Sequence, residues 1–319
     1  VGRGIHNAEQ VLVSRLKRHR LTKFEFTRQR ALITGSDDWS GFARADLVVE
    51  AVFEELGVKR QVVGDLEAVI EPDAIIATNT STIPIADIAS GARSPERIVG
   101  MHSFSPVERM PLLEVIPHEG SAVDPVITAV RFGRRMGKTV IVVADSPGFW
   151  VNRILTPYLN EAGFLLEDGV PVEVIDRVMT EWGFPVGPIE LLDQVGLDVA
   201  EKAGMVMHAA FGNRFTPSRI FQLLRADDRL GRKNGRGFYR YTKGKRGGAD
   251  PDVAKLIGVE SPAEIDDGKV RERLVHAMLN EAAMAMSEGV VRLPRDGDIG
   301  AIFGIGYPPF RGGPMRTLD

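Results

Sequence analysis

Residues 97–116 read RIVGMHSFSPVERMPLLEVI, two apolar runs at 97–102 and 112–116 with only the short segment 103–111 between them. A parallel crossover needs a dozen or more connecting residues, usually a helix, so this pair predicts an antiparallel hairpin. Outward from it the pattern changes. Further apolar runs stand at 31–34, 45–52, 74–78 and 139–144, with amphipathic stretches at 58–70 and 126–136 between several of them. Strand signals alternating with helix signals predict a largely parallel α/β sheet covered on both faces, with the last two strands running against the rest. Upstream, Ile5, Val11, Leu12, Leu16 and Leu21 recur at helical spacing among charged residues, so 5–30 predicts helix, or a helical hairpin.

Beyond Ser146-Pro147-Gly148 the strand signal stops and long helical patterns take over. Proline and glycine interrupt both periodicities there, which sets a domain boundary. The segment 244–250 is rich in glycine and charge and predicts a looped or flexible linker. The helical half is duplicated: Leu159-Asn160-Glu161-Ala162 with Gly169-Val170 returns as Leu279-Asn280-Glu281-Ala282 with Gly289-Val290, 120 positions later. Gly183-Phe184-Pro185 returns more loosely as Gly306-Tyr307-Pro308. The expected order is therefore an α/β domain over 1–146, a helical domain over 147–250 and a second, incomplete copy of it over 251–319.

Composition narrows the chemistry. A hydrophobic fraction of 44% and a charged fraction of 26% over 319 residues fit globular domains with sizeable cores. With no cysteine, disulfides, thiol nucleophiles and thiolate metal sites are excluded, and the histidines show no metal-ligand spacing, so no metal is expected. No run approaches the roughly 18 apolar residues of a membrane span, and the first residues lack the apolar core of a signal peptide, which predicts a cytoplasmic protein. A net charge of -3 gives no reason to expect nucleic acid, and no aromatic residue interleaves the basic stretch 15–23.

His102 ends one strand of the predicted hairpin and Glu114 lies inside the other. A carboxylate within an apolar run needs a partner. Bonded to one imidazole nitrogen it would fix the tautomer and raise the basicity of the other, as a general base requires.

The motifs MHSFSPVERMPLLEVIP, NTSTIPI before it and DSPGFWVNRIL after it resemble the L-3-hydroxyacyl-CoA dehydrogenase family over essentially the whole chain. Their order, with the duplicated tail, is most similar to the α subunits of bacterial fatty-acid oxidation complexes. The resemblance implies a Rossmann-like NAD-binding domain, and oxidation of (S)-3-hydroxyacyl-CoA to 3-oxoacyl-CoA in β-oxidation, with NAD as cofactor. It implies that His102 takes the hydroxyl proton, that Glu114 orients His102, that Ser81 contacts the reacting hydroxyl and cofactor, and that Asn152 polarises the acyl group. Glu54, Lys59, Ser105 and Lys233 match cofactor contacts, and Lys17 and Arg18 sit where CoA phosphates would be held. The position 120 residues after Asn152 is Glu272, whereas Arg153 returns as Arg273, so Asn152 reads as functional and not as a demand of the helical unit.

A dinucleotide fold normally opens with strand, G-x-G-x-x-G and helix. Gly2-Arg3-Gly4-Ile5-His6-Asn7 has no strand before it and asparagine at the third glycine position, so it is not that loop. The expectation is a chain that begins partway through the cofactor domain, lacking its first strand-helix-strand and any hydratase domain further upstream. The implied partners are an acyl-CoA thioester and either a second copy, through the helical domain, or thiolase. Two other readings compete: a β-hydroxyacid dehydrogenase, which would use a helix-borne lysine in place of His102 and Glu114, and a non-catalytic assembly subunit.

Overall fold

The connection at 103–111 is a hairpin, as its length requires. The computed structural model describes residues 1–319. It begins with α1 (Gly2–Lys17) and α2 (Lys23–Ala31), the helical hairpin expected there. Thr22 and Glu25 close the start of α2 reciprocally: the Thr22 hydroxyl accepts from the Glu25 N–H at 3.2 Å and the Glu25 carboxylate from the Thr22 N–H at 2.8 Å. Gly2 and Gly4 lie inside α1, not in a phosphate-binding turn. The run at 31–34, expected as a strand, is not one, because Ala31 closes α2 and the residues after it are irregular.

Five strands form the sheet: β1 (Leu47–Glu50), β2 (Ile75–Thr78), β3 (Ile98–Ser103), β4 (Leu112–Pro117) and β5 (Thr139–Val142). Helix α3 (Leu56–Glu67) joins β1 to β2, the short α4 (Ile85–Ala89) precedes β3, and α5 (Val123–Arg135) carries the chain from β4 to β5. The spatial order follows the sequence, β1-β2-β3-β4-β5. Pairing is parallel except between β3 and β4, so β4 and β5 run against the first three strands, as the hairpin predicted.

Alternation along the strands sorts the two faces. Val99 and Met101 of β3 and Leu113 and Val115 of β4 pack on the α5 side around Ala129, whereas Ile98, Leu112 and Ile116 join the larger core shared with the helical region. His102 and Glu114 have the second parity and therefore face the helices.

That helical region comprises α6 (Val151–Glu167), α7 (Val172–Trp182), α8 (Pro188–Val195), α9 (Leu197–Phe211), α10 (Ile220–Ala226), α11 (Asp252–Ile257), α12 (Asp267–Ser287), α13 (Pro294–Ile305) and α14 (Pro314–Leu318). It also holds a two-stranded ribbon of β6 (Tyr239–Thr242) and β7 (Lys245–Ala249). The glycine-rich segment 244–250, expected to loop out, is thus mostly β7, with Gly244 at φ +75° making the turn. Asp193 holds the ribbon down by accepting from the Phe238 and Tyr239 N–H groups at 3.0 and 2.9 Å.

The duplication is visible in space. Arg153 on α6 donates to Glu281 on α12 at 2.8 Å and also to Glu288, while Arg273 on α12 donates to Glu161 on α6 at 2.6 Å and to Asp168 at 2.7 Å. Every partner is displaced by the same 120 positions seen in the sequence. The reciprocity is that of a two-fold axis, with α6 and α12 antiparallel and each copy contributing one face.

Candidate active site

His102 and Glu114 are direct cross-strand partners in the β3–β4 ladder. Their side chains meet, His102 Nδ1 to Glu114 Oε2, at 2.7 Å. Both are buried, His102 to 3% exposure and Glu114 completely, so the carboxylate must find its partners within the protein. Its second oxygen accepts from the main-chain N–H groups of Trp150 and Val151 at 3.1 and 3.0 Å. Those amides are presented by the Ser146-Pro147-Gly148-Phe149 turn, in which Gly148 takes φ +75° and Phe149 the left-handed φ of +51°. A Cβ on Gly148 would lie 2.9 Å from the Met207 sulfur, so the turn is tight as well as left-handed. With Nδ1 donating to the carboxylate, the imidazole presents Nε2 as its basic nitrogen, and no protein group competes for it. Phe104 and Phe149 flank the ring, with centroids 4.4 and 5.6 Å away.

His102 opens onto a cleft of about 1020 Å³ between the sheet and the helical region. Ser81, Ser105 and Asn152 line it too. Asn152, in the first turn of α6, reaches across from the helical side and donates to the Ser81 carbonyl at 3.2 Å. Glu272, its counterpart in the second copy, is exposed and away from this cleft.

Behind Ser81 lies a polar network. One oxygen of Glu54 accepts from the Thr80 hydroxyl at 2.6 Å and the Ser81 N–H at 2.9 Å. Lys59, completely buried, bridges Glu50 at 2.9 Å and Glu54 at 3.2 Å. Burial pushes the Glu54 carboxyl up, but the bonds from Thr80 and Ser81 and the Lys59 charge outweigh it and hold the group below its ordinary value. Glu54 and Lys59 thus fix the Ser81 turn and do not line the cleft. Across the domains, the Lys202 ammonium of α9 donates to the Glu54 carbonyl at 3.0 Å.

The remaining expected residues lie elsewhere. Lys233 pairs with Asp198 at 2.7 Å, outside the cleft lining. Lys17 and Arg18 are exposed at the end of α1, also outside it. Sequence reasoning missed Glu50, Asn79, and the amides of Trp150 and Val151. Glu50 carried the same signal as Glu114, a carboxylate inside an apolar strand; it accepts from the Thr78 hydroxyl at 2.7 Å as well as from Lys59. Asn79, whose side-chain oxygen accepts from the Ser103 N–H at 2.8 Å, ties β2 to the end of β3.

Residues 1–146 match the 3-hydroxyacyl-CoA dehydrogenase NAD-binding domain, and residues 148–241 match the 3-hydroxyacyl-CoA dehydrogenase C-terminal domain. The chain belongs to the 3-hydroxyacyl-CoA dehydrogenase family. Among solved structures, the chain is similar to a 3-hydroxybutyryl-CoA dehydrogenase from Escherichia coli K12, at 28% identity and a TM-score of 0.85, over 96% of this chain and 82% of that one. It is 33% identical to (S)-3-hydroxybutyryl-CoA dehydrogenase PaaH1 from Ralstonia eutropha, at a TM-score of 0.74, over 76% of this chain and 87% of that one. The dehydrogenase part of multifunctional enzyme 1 from C. elegans matches at 26% identity and a TM-score of 0.63, over 95% of this chain and 70% of that one. The family makes the α/β domain an NAD-binding domain, and no helix of the chain is long and apolar enough to cross a membrane.

Proposed function

We propose that this member of the family oxidises the 3-hydroxyl of (S)-3-hydroxyacyl-CoA to the 3-oxo group, and that the observation carrying the reading is the buried His102–Glu114 pair opening onto the interdomain cleft. His102 Nε2 is the base that takes the hydroxyl proton. Glu114 holds the ring in that tautomer and stabilises the imidazolium that forms, itself held by two main-chain amides. The Ser81 hydroxyl orients the reacting oxygen, and the Asn152 amide polarises the neighbouring acyl carbonyl. Loops leaving the carboxyl ends of β1, β2 and β3 carry Glu54, Ser81 and Ser105, where open α/β sheets bind their ligands, and these residues fit the nicotinamide end of NAD. NAD, when bound, supplies the acceptor for the hydride leaving C3.

Residues 1–146 serve in this reading as the cofactor domain, and 147–250 and 251–319 as two helical copies. Ser105 and Lys233 would contact cofactor, with Glu54 and Lys59 acting there through the Ser81 turn. Lys17 and Arg18, at the exposed end of α1, would meet CoA phosphates. The duplicated tail supports a role like that of the α subunit of a cytoplasmic fatty-acid oxidation complex, with thiolase or a second copy as partner. A helix-borne lysine base finds no support, because His102 occupies the reacting end of the cleft and no lysine lines it.

The test is NAD reduction with (S)-3-hydroxybutyryl-CoA beside free 3-hydroxybutyrate. Turnover of the thioester, and little of the free acid, is expected. Equal turnover of both would place the substrate in another class.

A further inference from the structure

We propose that the second helical copy, through Ile302 and Phe303 of α13, forms the wall that receives the acyl tail of the substrate and sets which chain lengths bind well. The proposal rests on the thioester reading above and adds a residue-level account of where the tail goes.

Helix α13 is seated directly beside the catalytic pair. Trp150 Nε1 donates to the Gly297 carbonyl at 2.9 Å, and the same residue's main-chain N–H holds Glu114. A Cβ at Gly304 would lie 2.8 Å from Leu112 and 2.9 Å from Val151, which respectively precede Glu114 by two residues and Asn152 by one. Only a residue without a side chain lets α13 approach so near. The helix then presents Ile302, Phe303 and Ile305 to the same cleft that His102 and Asn152 line.

The charged lining of that cleft comes from one stretch of chain. Glu201, Arg214 and Arg232 are its only acidic or basic lining residues besides His102, and all three belong to the segment 201–232. Helix α13, Val107, Met110 and Pro111 of the hairpin loop, and Pro185 and Val186 before α8 contribute only uncharged residues to the lining. Apolar groups are nonetheless left in contact with solvent there, Phe303 at 41% and Val107 at 49% exposure. A concave, uncharged surface with exposed large apolar side chains, continuous with the reacting end of the cleft, suits an alkyl chain attached to the carbon that His102 addresses. Burial of each methylene against it tightens binding about fourfold.

The experiment is calorimetric titration of the full chain with CoA and with butanoyl-, octanoyl- and dodecanoyl-CoA. Affinity is expected to rise from butanoyl- to octanoyl-CoA, and Phe303→Asp to weaken octanoyl- and dodecanoyl-CoA by at least about tenfold while leaving CoA and butanoyl-CoA unchanged. Phe303→Ala reads the same wall if the aspartate variant does not fold. Equal affinity for all three thioesters would overturn the proposal and leave the apolar face to another occupant. A chain-length dependence that survives both Phe303 variants but is abolished by Val199→Asp would place the tail on α9, overturning the assignment to α13 while sparing the thioester reading. Failure of CoA and every thioester to bind would sink that reading, and the proposal with it.

Discussion

Glu114 shows how a single side chain comes to do two jobs. Its parity on β4 turns it toward the helices, its register puts it opposite His102, and burial obliges both oxygens to be bonded. One oxygen orients the imidazole and the other is anchored by the Trp150 and Val151 amides. Glu114→Gln keeps the volume but places a neutral amide against Nδ1, able to donate to it and favour the wrong tautomer. Turnover is expected to fall about 100- to 10,000-fold with KM little changed. Steady-state kinetics check this, and a rise in KM without loss of kcat would mean that Glu114 serves binding instead.

At the scale of elements, the reciprocal ion pairs between α6 and α12 differ in burial and should differ in worth. Arg153 and Glu281 are almost completely buried, whereas Arg273 and Asp168 are 35% and 57% exposed. Glu281→Ala leaves Arg153 its bonds to Glu288 and Ser146 but removes the buried carboxylate it shares with Arg214, so a loss of about 1.5 to 3 kcal/mol is expected. Asp168→Ala should cost no more than about 1 kcal/mol. Urea unfolding separates the two, and equal small losses would contradict the ranking of these pairs by burial. The same elements show what the sequence made legible. The hairpin followed from a connection too short for a crossover, the helical copies from their 120-residue offset, and His102 with Glu114 from a carboxylate inside an apolar run. Residues 31–34 misled because a short apolar run at the end of a helix looks like a strand when read alone. β7 was hidden because lysine, arginine and glycine are poor strand formers; its exposed ribbon is set by pairing with β6 and by the Asp193 anchor. The amides that hold Glu114 carry no side-chain signal at all, and the burial of Lys59 depends on Glu50 and Glu54 meeting in space.

For the molecule as a whole, pH should reveal two buried carboxylates outside the cleft that His102 lines. Burial pushes Asp176 up to about 6, against bonds from the Tyr239 hydroxyl and the Ile189 and Glu190 amides, and burial does the same to Asp193. The folded state therefore holds these protons more tightly than the unfolded chain. Their contribution to stability is fully present below the unfolded value near 3.8 and is lost as pH rises through about 6, up to about 3 kcal/mol each. Asp176→Asn should remove its share of that decline, which chemical denaturation across this range measures; an identical decline in the variant would show that Asp176 does not titrate there. The catalytic account instead joins the sheet to the helices, because His102 comes from one and Asn152 from the other, and the cleft exists only where they meet. Its most direct measurement is kcat for NAD reduction by the His102→Gln variant with (S)-3-hydroxybutyryl-CoA. A fall of at least about 100-fold, with the thioester still bound, is predicted; turnover within a few-fold of the parent would contradict the assignment of the base.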